Sequence, residues 1–394
     1  VAESVASRPI QRSGLAAIVA SHTSVDMQTS SLTVLLPLLL ATLDLNYAAA
    51  AAILSANNLI IAVAQPLFGM LGDARRVQWL VLAGCILCGA AMVGVVFLPS
   101  YWLVLVAVVL SGIGSAAFHP EALSQTRGVS GDRTATGASI FFFGGNMGFA
   151  LGPLVVALLI EYFGTPGAAL MIVPTLIGVT ALLSQRRTIA TANAHRGRSK
   201  AKIAAVGSRQ ARLALIGLLL VLIVLRSTVL TGLQAFIPLY FTAAEGMGKA
   251  DAAQMLTILA LCGAVGTLFS GPLAERIGRR NVMVAAMVVV LAALAIFLRT
   301  EGLVRLLALA VAGMAITAPW TLTVVMVQDA MPNNLGLAGG LTLGTAYGAS
   351  GLGVAALGLY ADSAGLAATL QLLTLLPALV LLLSLFVPNH APKG

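Results

Sequence analysis

The sequence predicts an all-α membrane protein in which twelve transmembrane helices form two pseudo-symmetric six-helix bundles. Three observations predict it. Charged residues are 9% of the chain, apolar residues are 59%, and the mean hydropathy is +1.00. Soluble domains carry about 25% charged residues, so this chain lacks the polar cover that water requires. Apolar runs long enough to cross a bilayer, about 18 residues or more, recur from end to end. Finally, Lys and Arg collect on alternate loops, the bias that orients membrane helices.

Helices are expected at 15–43, 47–71, 78–98, 101–125, 135–161 and 166–184, and again at 213–242, 250–273, 281–299, 303–329, 338–361 and 366–387. The runs are apolar on all sides and too long for spanning strands of about ten alternating residues. This divides the chain into a tail at 1–14, a bundle at 15–184, a linker at 185–212, a second bundle at 213–387 and a tail at 388–394. The linker carries Arg186, Arg187, Arg196, Arg198, Lys200, Lys202, Arg209 and Arg212 and no acid. With the N-terminus in the cytoplasm, those residues lie inside together with Arg8, Arg12, Arg75, Arg76, Arg127, Arg133, Arg276, Arg279, Arg280 and Lys393. Only Lys249, Arg299 and Arg305 lie outside. Both termini are therefore expected on the cytoplasmic side.

The net charge of +9 is a topology signal on this reading. It offers no basic folded face for nucleic acid, and contact with anionic lipid headgroups is a by-product. Residues 1–14 are polar and carry no cleavable signal pattern. Cys85, Cys88 and Cys262 fall in apolar helices without His or acidic neighbours and read as small packing residues. No metal, nucleotide or prosthetic group is expected. No phosphate-cradling glycine loop followed by Lys and Ser/Thr occurs, nor a His-Glu-x-x-His or Gly-x-Ser-x-Gly element, so an enzyme is not expected.

The halves repeat weakly. Gly69-Met70-Leu71-Gly72-Asp73 follows the second helix, and Gly271-Pro272-Leu273-Ala274-Glu275 follows the eighth. The stretch Gly271 to Arg280 resembles the loop signature of the major facilitator superfamily. Its first-half counterpart departs from that signature at Ala74, Arg76 and Val77. The resemblance implies the major facilitator fold, with parallel repeats around a midplane cavity and alternating access. A narrower likeness rests on Phe118-His119-Pro120-Glu121-Ala122, on Gly145-Asn146 through Gly152-Pro153, on Arg226-Ser227, on Ile237 to Tyr240 and on Gln328 to Pro332. Together these resemble the fosmidomycin resistance branch. That branch implies proton-coupled export of a small drug-like or metabolite compound; the chain is further expected to work as a monomer in a bacterial inner membrane. Gly148, Gly152 and Pro153 also partly match the helix-five signature of drug:proton antiporters, a gating element. Val156 and Ala157 replace glycines of that signature, and Val108 replaces the helix-four Arg of the wider antiporters.

An ionisable side chain at the bilayer centre costs roughly 2.5–3.5 kcal/mol, so each one is a functional candidate. Asp26 lies about 16 Å into the first helix and Arg226 about 20 Å into the seventh at 1.5 Å per residue. The two are expected as partners across the pseudo-twofold axis. His22, Asp26, Thr29, Thr33 and Pro37 share one helical stripe. Proton-coupling candidates are Asp26, His22, Glu121 and His119. Substrate-binding candidates are Arg226, Asn57, Asn58, Asn146, Gln234, Phe143, Tyr240 and Tyr347. The amides serve equally as interhelical bonds. Gating candidates are Asp73, Glu275, Arg276, Asp329, Gly148, Gly152 and Pro153. Burial opposes a charged Asp26 and a nearby guanidinium favours it, so the residues alone leave antiport and symport open. The competing reading is a proton-coupled importer or facilitator of an organic anion or sugar.

Overall fold

The computed structural model describes residues 8–75, 78–199 and 208–389. Arg76, Val77, Lys200, Lys202 and Lys393, which enter the charge bias and the loop motif, lie outside them. Among the described residues, twelve α-helices account for nearly all of the fold. They are α1 (Arg12–Thr42), α2 (Tyr47–Arg75), α3 (Leu80–Gly94), α4 (Tyr101–Val129), α5 (Thr134–Phe163), α6 (Ile172–Ser199), α7 (Arg209–Ala243), α8 (Lys249–Ile277), α9 (Arg279–Phe297), α10 (Gly302–Ala330), α11 (Leu335–Ala364) and α12 (Leu366–Ser384). Eleven of them, among the described residues, are long and apolar enough to cross a membrane.

Several helices outrun the apolar segments, while α3 and α12 stop at Gly94 and Ser384, short of the expected 98 and 387. α2 continues to Arg75, α8 to Ile277 and α6 to Ser199, so the first part of the 185–212 segment is helical. Backbone hydrogen bonding does not stop where hydropathy falls, which is why the expected ends came short. The opposite difference occurs at 165–171, where Thr165–Met171 is a 3₁₀ turn before α6. Prolines inside helices, such as Pro37, Pro120 and Pro319, are accommodated without ending them. Gly278, at φ +90°, closes α8 and releases α9; a side chain is disfavoured there. This explains the glycine of the Glu275-Arg276-Ile277-Gly278 motif.

The chain divides into two compact units, 1–204 with 331–341, and 205–330 with 342–394. In the first unit α1 packs chiefly on α5 and α6, and α4 on α2 and α3. The α1–α5 seam is tight because of glycine. A Cβ at Gly148 would come within 2.3 Å of the Thr23 carbonyl oxygen, and one at Gly152 within 2.3 Å of that of Met27. Close backbone approach of this kind replaces the hydrophobic drive that is missing between helices in lipid. In the second unit α10 packs on α8 and α9, and α12 on α7 and α9.

Candidate functional site

The first unit gathers three ionisable side chains into one buried cluster. His22 and Asp26 sit one turn apart on α1, and His119 comes from α4. Their residues are 2%, 6% and 4% exposed. His22 Nε2 lies 3.2 Å from Asp26 Oδ2, and His119 Nε2 lies 3.1 Å from Asp26 Oδ1. The far side of each ring is tied to backbone. His22 Nδ1 is 2.8 Å from the Phe141 carbonyl oxygen of α5. His119 Nδ1 is 2.8 Å from the Ser115 carbonyl oxygen, one turn back on α4. The Pro120 that follows His119 stays inside the helix.

Apolar rings and a glycine enclose the cluster. The Phe141 ring stacks on His22 with centroids 3.9 Å apart, and Phe118 and Phe142 also pack against it. Gly145 of α5 leaves the room: a Cβ there would fall 2.4 Å from His22 Cε1 and 2.6 Å from Asp26 Oδ2. Low-dielectric walls strengthen every charge interaction inside. Two imidazole nitrogens and a carboxylate are also donor types found at metal sites. Here each Nε2 addresses a different oxygen of one carboxylate at hydrogen-bond distance, which is the geometry of proton bridges.

The remaining first-unit candidates are carried on α2, α4 and α5. Glu121 accepts from Gln125 Nε2 at 3.0 Å and faces Gly72 of α2. Asn57 donates to the Val108 carbonyl at 3.0 Å, joining α2 to α4. Asn58 is exposed, and Asn146 and Phe143 are half-buried on α5. Asp73 accepts the backbone N–H groups of Gly336 and Leu337 at 2.9 and 2.8 Å, so it caps the start of α11. That carboxylate complements the positive end of the helix.

In the second unit Arg226 of α7 is 8% exposed. Its Nε donates to the Ile316 carbonyl of α10 at 3.0 Å, and its guanidinium lies 5.5 Å from the Trp320 ring centroid. Each of the two expected partners is held inside its own unit: the Asp26 carboxylate by two imidazoles, the Arg226 guanidinium by a carbonyl and an indole face. Sequence reasoning missed the pairing because His119 is distant from Asp26 along the chain, and a helix carbonyl leaves no mark in a sequence. The available signal was Ser115 one turn before His119, whose hydroxyl lies 3.3 Å from His119 Nδ1. Asp329 pairs with Arg279. Glu275 is half-buried and Arg276 exposed at the end of α8. Gln234 is exposed, while Tyr240 and Tyr347 are half-buried. Pro153 lies within α5, one residue past the Gly152 contact with α1.

The sequence profile described as Major Facilitator Superfamily matches residues 18–354 and 219–394. The chain is 29% identical over 384 residues to the fosmidomycin resistance protein of Escherichia coli (strain K12), covering 96% of this chain and 93% of that one. It is 28% identical over 351 residues to an uncharacterized MFS-type transporter of Bacillus subtilis (strain 168), covering 88% and 86%. Its fold resembles that of the E. coli fucose:proton symporter, with TM-score 0.70, 17% identity and coverage of 95% and 98%. Profile, relatives and fold agree: this chain belongs to the major facilitator superfamily of membrane transporters.

Proposed function

We propose that this transporter exports a small drug-like or metabolite compound in exchange for protons, by alternating access. The His22–Asp26–His119 cluster is its proton site and Arg226 is an anchor for an anionic group on the substrate. The single observation that carries this reading is the buried cluster. A carboxylate held between two imidazoles puts three proton-binding groups within hydrogen-bond reach of one another in a site closed to water. The export direction is supported by the likeness to a protein named for fosmidomycin resistance. Lys and Arg placement supports a bacterial inner membrane with both termini cytoplasmic, and the chain is taken to work as a monomer among lipids.

Arg226 supports the substrate anchor. Among the described residues its nearest partners are a carbonyl and an aromatic face, and its Nη groups have no acidic partner. A guanidinium held this way suits a carboxylate or phosphonate. The same feature supports the second reading, import of an organic anion. Reconstituted vesicles loaded with fosmidomycin, organic acids or sugars under an imposed pH gradient separate the two by the direction of net movement. In that assay Asp26→Asn is expected to abolish uphill movement and to leave downhill exchange. Uphill movement by Asp26→Asn at the wild-type level overturns the assignment of the proton site.

A further inference from the structure

We propose that the His22–Asp26–His119 cluster is a two-proton store, filled and emptied at the two imidazole Nε2 positions. The inference deepens the proton-coupled reading and rests on it for its role in transport, whereas the proton count stands by itself. Donors and acceptors set the count. Each Nδ1 lies 2.8 Å from a backbone carbonyl oxygen, of Phe141 for His22 and of Ser115 for His119. A carbonyl oxygen only accepts, so each Nδ1 carries hydrogen; the Ser115 hydroxyl, at a longer 3.3 Å from His119 Nδ1, is then a second acceptor of it. A neutral ring with its hydrogen on Nδ1 presents a bare lone pair at Nε2.

Both Nε2 atoms face the carboxylate, at 3.2 Å from Oδ2 and 3.1 Å from Oδ1. With Asp26 ionised and both rings neutral, two lone-pair contacts are pressed together in a buried site. One proton turns one contact into a charge-assisted hydrogen bond and leaves the other repulsive. A second proton mends the other. A third would need an acceptor for a carboxyl O–H, although both oxygens already face a ring N–H. Two protons therefore give the filling in which every donor has an acceptor. The formal charge of the three groups runs from minus one when empty to plus one when filled.

The neighbours do not change the count. α3 brings the Cys85 and Cys88 thiols, and Cys88 bonds the Val25 carbonyl and Ser111. α4 adds Glu121, two residues past His119, with Gln125 donating to it. α5 brings Phe141 and Gly145, and α6 brings Gly178 against Ser21 and Thr175 against Ser24. Neither α5 nor α6 brings a charged side chain to the cluster among the described residues.

Nitrogen NMR of the full-length protein with isotope-labelled histidine reads each ring nitrogen directly. The chain has 4 histidines, and His22→Gln and His119→Gln assign the two that matter. Both rings are expected to be doubly protonated at acid pH, and each is expected to lose its Nε2 hydrogen and keep Nδ1–H as pH rises. Asp26→Asn is expected to hold no imidazolium at either ring, because without the carboxylate a protonated ring would be an unpaired buried cation. A neutral ring found as the Nε2–H tautomer, or only one ring that ever charges, overturns the store. So does a spectrum that changes on adding a metal chelator. In vesicles, the logarithm of the fosmidomycin accumulation ratio plotted against the pH difference should rise with a slope of two. A slope of one overturns the store as the coupling unit. A slope of zero sinks proton coupling itself and leaves the NMR count to stand or fall alone.

Discussion

Two of the places where the described residues bury charge inside helices, around Asp26 and around Arg226, are built on opposite plans. In the first unit a carboxylate meets two imidazoles, and both imidazoles are anchored to backbone carbonyls. In the second unit Arg226 has a carbonyl for its Nε and an indole face beside it, and among the described residues no carboxylate pairs with it. A closed network of titratable groups changes state by taking up protons. A guanidinium with forked donors to spare changes state by taking up an anion. On the proposed reading, the first unit holds the proton and the second the anionic group of the substrate.

The largest expected effect tests the closed network. The double variant His22→Gln/His119→Gln should bring the accumulation ratio under a pH gradient down to unity, as fully as Asp26→Asn, while counterflow exchange persists. Retained accumulation in the double variant would remove the imidazoles from coupling. Arg226→Ala comes next. Loss of its charge-assisted bonds should weaken binding of an anionic probe by about 1.5–3 kcal/mol, roughly ten- to a hundredfold. A neutral probe should lose far less, and equal losses measured by calorimetry would make Arg226 purely structural. Gly145→Ala should follow, since its new methyl collides with His22 and Asp26. Overpacking of this kind costs about 1–3 kcal/mol. Thermal unfolding should report that loss, and proton coupling should weaken with it. Smallest is Asp73→Asn, which keeps an acceptor at the α11 N-terminus but removes its charge. A loss of about 0.3–1 kcal/mol is expected, again from thermal unfolding.

Much of this was legible in the sequence, for identifiable reasons. Twelve helices follow from apolar runs, since lipid demands that each backbone group be bonded within its own segment. His22 and Asp26 could be paired in advance because residues four apart share a helix face. Asp73 was readable as a residue near a helix end, and the structure supplies the helix it caps. His119 was flagged as titratable, but its contact with Asp26 spans 93 residues and depends on how α4 lies against α1. Gly145 was visible only as one member of a glycine-rich helix, and its specific burden appears once the side chains opposite it are placed. Arg226 was recognised from its depth, yet Trp320 was one aromatic residue among many. The long helical extension to Ser199 was hidden by basic residues that end an apolar run without ending a helix.

The most direct test of the central claim is proton movement itself. Proteoliposomes holding a pH-sensitive dye are given fosmidomycin with no imposed gradient, and the dye reports protons that cross with the solute. Wild-type protein should produce a proton flux opposite in direction to the solute, and Asp26→Asn should move solute downhill with none. An equal proton flux from wild type and Asp26→Asn would contradict the account.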